Sequence, residues 1–153
     1  MQLRASRFDH GADIPPYFTC DGGDLSPALT WTAAPAGTRS LALIVEDPDA
    51  PAHTWIHWVL YDIPPGERGL PEGVGSKAKL PAGARQGAND FGKTAYGGPC
   101  PPPGAPHRYF FRIYALDSSV ALEAGATAAE LRRAMRGHLV AEAELMGRYG
   151  RKR

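Results

Sequence analysis

Apolar residues concentrate in three segments, and turn-forming residues stand at the end of the first two. Residues 41–45 form a short apolar run that ends at Glu46-Asp47-Pro48, and residues 55–63 are rich in aromatic and β-branched side chains before Pro64-Pro65-Gly66. Residues 108–116 carry bulky side chains on both faces. Such runs predict buried β-strands. We expect three strong strands, the last of them central in a sandwich, and weaker strands over residues 30–32 and near Leu3.

One segment near the C-terminus has a helical pattern. Thr127 and Glu130 have the spacing of a capping box, in which each side chain bonds the backbone N–H of the other residue. Apolar side chains then recur at every fourth position, as on one face of a helix: Leu131, Met135, Leu139 and Ala143. The pattern predicts a helix that begins after Thr127 and ends near Gly147, followed by a basic tail over residues 148–153.

The segment from about residue 80 to 106 has almost no regular pattern. Eight of the ten residues from 97 to 106 are Gly or Pro, which excludes a helix or a central strand but fixes the φ angles of the prolines. An irregular loop of roughly 25 residues in a compact domain is usually functional or disordered. Because Phe91 and Tyr96 can pack against the core, we expect this loop to be ordered and functional.

Composition narrows the class of protein. The 153 residues suit one domain, residues 1–153, and 17 basic against 16 acidic residues give no field that would attract nucleic acid. The N-terminus has no apolar signal segment and no run of 18 apolar residues occurs, so we expect a cytoplasmic protein without stable membrane association. Cys20 and Cys100 could join two loops in a disulfide, although a cytosolic location argues against one.

Three polar clusters could carry chemistry. Asp47 and Asp49 flank a proline in a turn, His57 lies within a strand between two tryptophans, and His107 follows the Gly/Pro-rich loop. Each has an ordinary structural explanation, since Asp-Pro initiates turns and a strand histidine is usually a core residue. If the strand ends meet, however, two imidazoles, Tyr109 and the N–H groups around Gly97 and Gly98 would converge as donors for a phosphate or sulfate. Asp47 would orient one histidine or accept from an amine on the ligand.

Other functions fit the same residues. Two histidines and one or two aspartates could bind a divalent metal or act as a base in hydrolysis, although close metal-ligand spacing is absent. No serine has the context of a nucleophile, and Cys100 is the one candidate thiol. A protease inhibitor that acts through an exposed loop or the tail, and a purely structural domain, are further alternatives.

Several spaced motifs together resemble one family. They are Asp-Pro-Asp-Ala-Pro at 47–51, Trp-Ile-His-Trp at 55–58 and Gly-Pro-Cys-Pro-Pro at 98–102 with His-Arg-Tyr at 107–109, supported by the segments at 21–31 and 89–92. This order resembles the phosphatidylethanolamine-binding protein family, also called Raf kinase inhibitor-like proteins, in its compact bacterial and archaeal form. Many eukaryotic members have a histidine pair where this chain has Ile56-His57.

The resemblance implies a mainly β fold: a sandwich of two antiparallel sheets with a long Gly/Pro-rich pocket loop and a C-terminal helix that includes residues 141–145. It implies an anion-binding regulator or inhibitor, not an enzyme, with no cofactor and no metal. A kinase or protease partner and a homodimer are expectations of the same kind. The expected ligand-binding residues are Asp47, Asp49, Pro51, Trp55, His57, Gly98, Cys100, Pro102, His107 and Tyr109.

Overall fold

The computed structural model describes residues 1–152 and contains two antiparallel sheets. The larger sheet has the strand order β6-β4-β3-β7-β8, and the smaller has the order β1-β2-β5. The fold is thus mainly β, as predicted. The strands are β1 (Leu3–Ala5), β2 (Leu29–Trp31), β3 (Ser40–Asp47), β4 (Trp55–Ile63), β5 (Gly69–Leu70), β6 (Arg85–Gln86), β7 (His107–Leu116) and β8 (Leu139–Tyr149). A 3₁₀ turn covers Pro16–Phe18, and the α-helix α1 covers Ala128–Met135.

The larger sheet is buried on both faces. One face packs into the main core, which includes Leu43 of β3 and Trp58 of β4. The other face, with Ile44 and Val59, is covered by α1. Every residue of β3 is buried, because β3 lies between β4 and β7 and has a core on each side. This double burial explains why residues 41–45 form a continuous apolar run without alternation.

An ion-pair cluster joins α1 to this sheet. The Glu46 carboxylate of β3 is buried, and its Oε1 atom accepts from Arg112 of β7 at 2.6 Å and from Arg132 of α1 at 2.7 Å. The two arginines stay partly exposed, so they reach the buried carboxylate from the solvent side.

The predicted C-terminal helix is correct only in its first part. The capping box of Thr127 and Glu130 is present, but α1 ends at Met135, and Gly137 turns the chain with a φ of +79°. The chain then forms β8, which pairs with β7 over its whole length, so the extension to Gly147 was wrong. A spacing of four residues fits a two-residue strand period as well as a helix. Leu139 is half exposed, so it does not belong to the buried apolar face that was expected for the helix.

The loop over residues 80–106 is irregular apart from β6, and side chains hold it in place. The Tyr96 hydroxyl donates to the Phe18 carbonyl at 2.8 Å, and the Asn89 side chain bonds three backbone groups of residues 91–95. Cys20 and Cys100 form a disulfide, which answers a question that the sequence left open. Side-chain hydrogen bonds and the disulfide therefore account for the order that was expected of this loop.

Among residues 1–152, no helix has the length and apolar character needed to cross a membrane.

Candidate functional site

A small cavity of about 220 Å³ opens where three strand ends meet the Gly/Pro-rich loop. Eight of the ten residues predicted from sequence line it, whereas Asp49 and Gly98 do not. The lining contains three further residues, of which Phe91 is the largest. The complete lining is Asp47, Ala50, Pro51, Trp55, His57, Phe91, Cys100, Pro101, Pro102, His107 and Tyr109.

Antiparallel pairing brings the polar residues together. β3 ends at Asp47, β4 begins at Trp55 and β7 begins at His107, so three strands with different directions present these residues at one end of the sheet. Asp47 lies directly opposite Trp55 in the register. The cavity therefore brings together residues that are distant in sequence, such as Asp47 and His107, which are 60 positions apart, and its position follows from strand topology.

A β-bulge directs His57 into the cavity. Val45 pairs with Trp58 and Glu46 pairs with Ile56, which leaves His57 as the extra residue on β4. His57 therefore lines the cavity with Trp55, while Val59 packs on the α1 side of the sheet. Regular alternation along a strand would place His57 and Val59 on the same face, and the bulge interrupts that alternation.

Asp47 fixes the orientation of His107. The His107 Nδ1 atom lies 2.6 Å from Oδ2 of the buried Asp47 carboxylate, and Oδ1 of that carboxylate accepts from the Asp49 N–H at 2.7 Å. Since a carboxylate can only accept, His107 carries a hydrogen on Nδ1. Its Nε2 atom is the ring nitrogen left to contact a ligand, as in other carboxylate–histidine pairs.

His57 uses a ring N–H within the fold, although both imidazoles were expected to donate to a ligand. Its Nδ1 atom lies 2.6 Å from the Gly97 carbonyl oxygen, which can only accept, so the hydrogen of the neutral ring is on Nδ1. Burial lowers the pKa of His57, although the Gly97 carbonyl and the Asp47 charge oppose that shift. At neutral pH the ring is therefore mainly uncharged, and its Nε2 atom then carries a lone pair.

The loop N–H groups are engaged in the fold itself. Gly97 N–H donates to the His57 carbonyl at 2.9 Å, and Gly98 N–H donates to Oδ1 of Asp24 at 2.8 Å. The predicted anion-binding concavity around these glycines is consequently wrong. A Cβ atom at Gly98 would collide with the Phe18 carbonyl and the Asp24 carboxylate, so close backbone approach is the reason for glycine there.

The Tyr109 hydroxyl is buried and has no hydrogen-bond partner within residues 1–152. Burial, reinforced by the Asp47 charge, raises the pKa of Tyr109, so the group remains an O–H donor. An unpaired buried hydroxyl costs about 1–3 kcal/mol. A ligand that accepts a hydrogen bond at this position would recover that energy.

Asp49 stabilises the turn outside the cavity. Its two carboxylate oxygens accept from Nε and Nη2 of Arg108, each at 2.9 Å, and one also accepts from the Arg108 backbone N–H. The hydrogen bonds from Arg108 hold the pKa of Asp49 below its usual value. Asp49 therefore acts as a partner of Arg108 and does not line the cavity.

The disulfide forms part of the cavity wall and is contacted by the C-terminal segment. Cys100 lines the cavity and its thiol is bonded to Cys20, so it is not available as a nucleophile in this state. Arg151 places Nη2 2.8 Å from the Cys20 sulfur and pairs with the Asp21 carboxylate. Sequence reasoning missed this contact, since the basic tail offered no signal for its partner.

Larger clefts lie elsewhere, including one of about 230 Å³ that is lined by Arg112, Glu142, Ala143 and Glu144. Another of about 340 Å³ is lined mainly by β1, the following turn and β8, and one of about 640 Å³ lies beside Gly104 and Gly150. None of these is lined by a buried side-chain polar atom without a partner, whereas the smaller cavity has one at Tyr109. Within residues 1–152, no group of three or more His, Cys, Asp or Glu side chains is placed to hold a metal ion.

Comparisons with known proteins agree on one family. The family model for phosphatidylethanolamine-binding protein matches residues 4–150. A UPF0098 protein of Methanothermobacter thermautotrophicus is 49% identical over 151 residues, which cover 99% of each chain, and one of Aquifex aeolicus is 45% identical over 99% of this chain and 89% of its own. The crystal structure of Escherichia coli YbcL, described as a member of the mammalian family, matches with a TM-score of 0.92 and 35% sequence identity. The match covers 99% of this chain and 98% of YbcL. The crystal structure of a homolog from Chlamydia trachomatis matches with a TM-score of 0.90 and 42% sequence identity, and the match covers 99% of this chain and 97% of the other.

Proposed function

Since the chain belongs to the phosphatidylethanolamine-binding protein family, we propose that its cavity binds a small phosphate-type anion, either free or as a head group such as phosphorylethanolamine. The single observation that carries this proposal is the buried Tyr109 hydroxyl, which has no partner in the described chain and lines the same cavity as His107. Tyr109 supplies one donor, and a His107 ring with hydrogens on both nitrogens would supply a second, held in place by Asp47, which matches the needs of an oxyanion.

The size and lining of the cavity support a head group as the ligand. A volume of about 220 Å³ is below the 300–1,000 Å³ that is usual for drug-sized ligands. Pro51, Trp55 and Pro102 contribute apolar surface beside the donors, which suits the carbon atoms of an ester. The ligand would place its anionic oxygens on the donors and its organic group against these side chains.

We propose a regulatory or inhibitory binding protein without catalytic activity. The cavity offers no activated nucleophile in this state, because the Cys100 thiol is in a disulfide and the His57 lone pair has no hydroxyl of the described chain as its partner. The cytoplasmic location, a kinase or protease partner and the homodimer stay predictions.

Calorimetric titration with phosphate and O-phosphorylethanolamine tests the proposal. We expect wild-type binding, and Tyr109→Phe should weaken it roughly tenfold because one hydrogen bond to a charged group is lost. Without ligand, Tyr109→Phe should be as stable as the wild type, since the change removes an unpaired hydroxyl. Tyr17→Phe, at a tyrosine outside the cavity, is the matched control.

A folded wild-type protein that binds neither compound would refute the proposal and make the protease-inhibitor alternative the first to test. Equal affinities of the wild type and Tyr109→Phe would show that the anion binds elsewhere. His107→Gln provides a second check, because it removes the ring that Asp47 orients.

A further inference from the structure

The cavity presents a ring nitrogen of His57 as an acceptor beside the Tyr109 donor. His57 is nearly fully buried and uses Nδ1–H for the Gly97 carbonyl, so the ring nitrogen on the opposite side, Nε2, is an acceptor. No hydrogen bond within residues 1–152 reaches this nitrogen, and the ring lines the cavity. A ligand that fills the cavity therefore meets a lone pair at His57 and a hydrogen at Tyr109, with Nε2 of His107 as a further contact.

The charged groups around His57 do not supply the missing hydrogen. Asp47 on β3 and Asp24, whose carboxylate accepts from Gly98, are both acceptors, and the Tyr109 hydroxyl on β7 has no partner in the described chain. The aromatic rings of Phe91 and Tyr109 pack edge-to-face against the His57 ring and keep it desolvated. A hydrogen for Nε2 must therefore come from the ligand or from water.

A fully ionised phosphate fits this arrangement poorly. Each of its oxygens is an acceptor, so an oxygen that faces His57 Nε2 would place two lone pairs together in a desolvated position. A phosphate monoester that keeps one proton has a hydroxyl for His57 and anionic oxygens for the Tyr109 hydroxyl and for a His107 ring that carries hydrogens on both nitrogens. All three protein groups are then satisfied by one phosphoryl group.

We propose, on the basis of the proposed function, that the cavity selects an oxyacid that still carries a hydrogen, such as the monoanion of a phosphate monoester. His57 Nε2 accepts the hydrogen bond from this hydroxyl. A phosphodiester, the form of phosphate in an intact phospholipid, has no such hydrogen. Free phosphate and phosphate monoesters are therefore the expected ligands, and lipid head groups in their diester form should bind more weakly.

Ethyl phosphate and dimethyl phosphate form a matched pair for the test. They are isomers, and near pH 5 each carries about one negative charge, because the second pKa of a phosphate monoester is about 6. They differ in whether a hydroxyl remains. We expect dimethyl phosphate to bind roughly tenfold or more weakly, which is the effect of one lost hydrogen bond to a charged ligand. Glycerophosphorylethanolamine, a diester head group, should be weakened similarly.

A nitrogen NMR measurement identifies where the proton lies. In a sample with ¹⁵N-labelled histidine saturated with ethyl phosphate, we expect His57 to give the signature of a neutral ring with its hydrogen on Nδ1. An imidazolium signature for His57 would overturn the assignment, since the ring would then be a donor. This measurement uses the wild-type chain and does not depend on any variant folding.

The His57→Phe variant adds a check on the residue. It keeps an aromatic ring but has no lone pair, so the preference for ethyl phosphate over dimethyl phosphate should disappear. Binding of both isomers with equal affinity by the wild type would overturn this inference and leave the proposed function standing. Binding of neither isomer, together with no binding of inorganic phosphate, would instead refute the proposed function.

Discussion

The disulfide between Cys20 and Cys100 should supply a large part of the stability of this domain. Its partners are 80 residues apart, so reduction releases a long loop in the unfolded chain. The loop-closure relation gives about 4.5 kcal/mol for a loop of that length. Since a domain is typically stable by about 5–15 kcal/mol, loss of this bond would bring it close to unfolding.

Urea unfolding followed by tryptophan fluorescence measures this contribution. The midpoint should fall sharply when a phosphine reductant is added to the wild type. The double variant Cys20→Ser/Cys100→Ser should start at the reduced value and show no response to reductant, which controls for effects of the reductant itself. A difference of less than about 1 kcal/mol between oxidised and reduced wild type would refute the reasoning.

Three further predictions concern the site and its support. Gly98→Ala should destabilise the chain by about 1–3 kcal/mol, because the added Cβ collides with the Phe18 carbonyl. Gly66→Ala is the control, since there is open space around Gly66, and it should change the free energy of unfolding by less than about 0.5 kcal/mol. Thermal denaturation of the two variants compares these effects. Glu46→Gln should cost about 1–2 kcal/mol, since two arginines lose their shared carboxylate, and equal urea midpoints would contradict this. Burial lowers the pKa of His57 below its usual 6.5, so below that pH the unfolded chain binds a proton that the folded chain does not. The free energy of unfolding should therefore fall as the pH decreases below about 6.5, and the same slope in His57→Phe would count against this prediction.

The strong strands could be predicted because their signals are local. The run at residues 41–45 and the aromatic segments at 55–63 and 108–116 became β3, β4 and β7, the three adjacent strands of the larger sheet. The end of β3 and the starts of β4 and β7 also carry Asp47, His57 and His107. Placing strong strands therefore placed most of the cavity lining.

The misjudged features depend on contacts between distant residues. The segment 139–149 is compatible with a helix or a strand by its spacing, and only its pairing with β7 decides between them. The engagement of Gly98 N–H depends on Asp24, 74 residues earlier, and no local pattern reveals that pairing. The position of the His57 ring likewise depends on a bulge and on the Gly97 carbonyl, which accepts a hydrogen bond from the ring, and no local pattern reveals either contact.

The 60-residue separation of Asp47 and His107 has a consequence for folding. The cavity exists only after β7 has paired with β3, so a chain that ends before residue 107 has neither the oriented imidazole nor Tyr109. A compound that occupies the cavity would bind the native chain and not the unfolded one. At a free concentration 100-fold above its Kd it would raise the free energy of unfolding by about 2.7 kcal/mol. The amount of such a compound that binds would therefore report the fraction of chains that are completely folded.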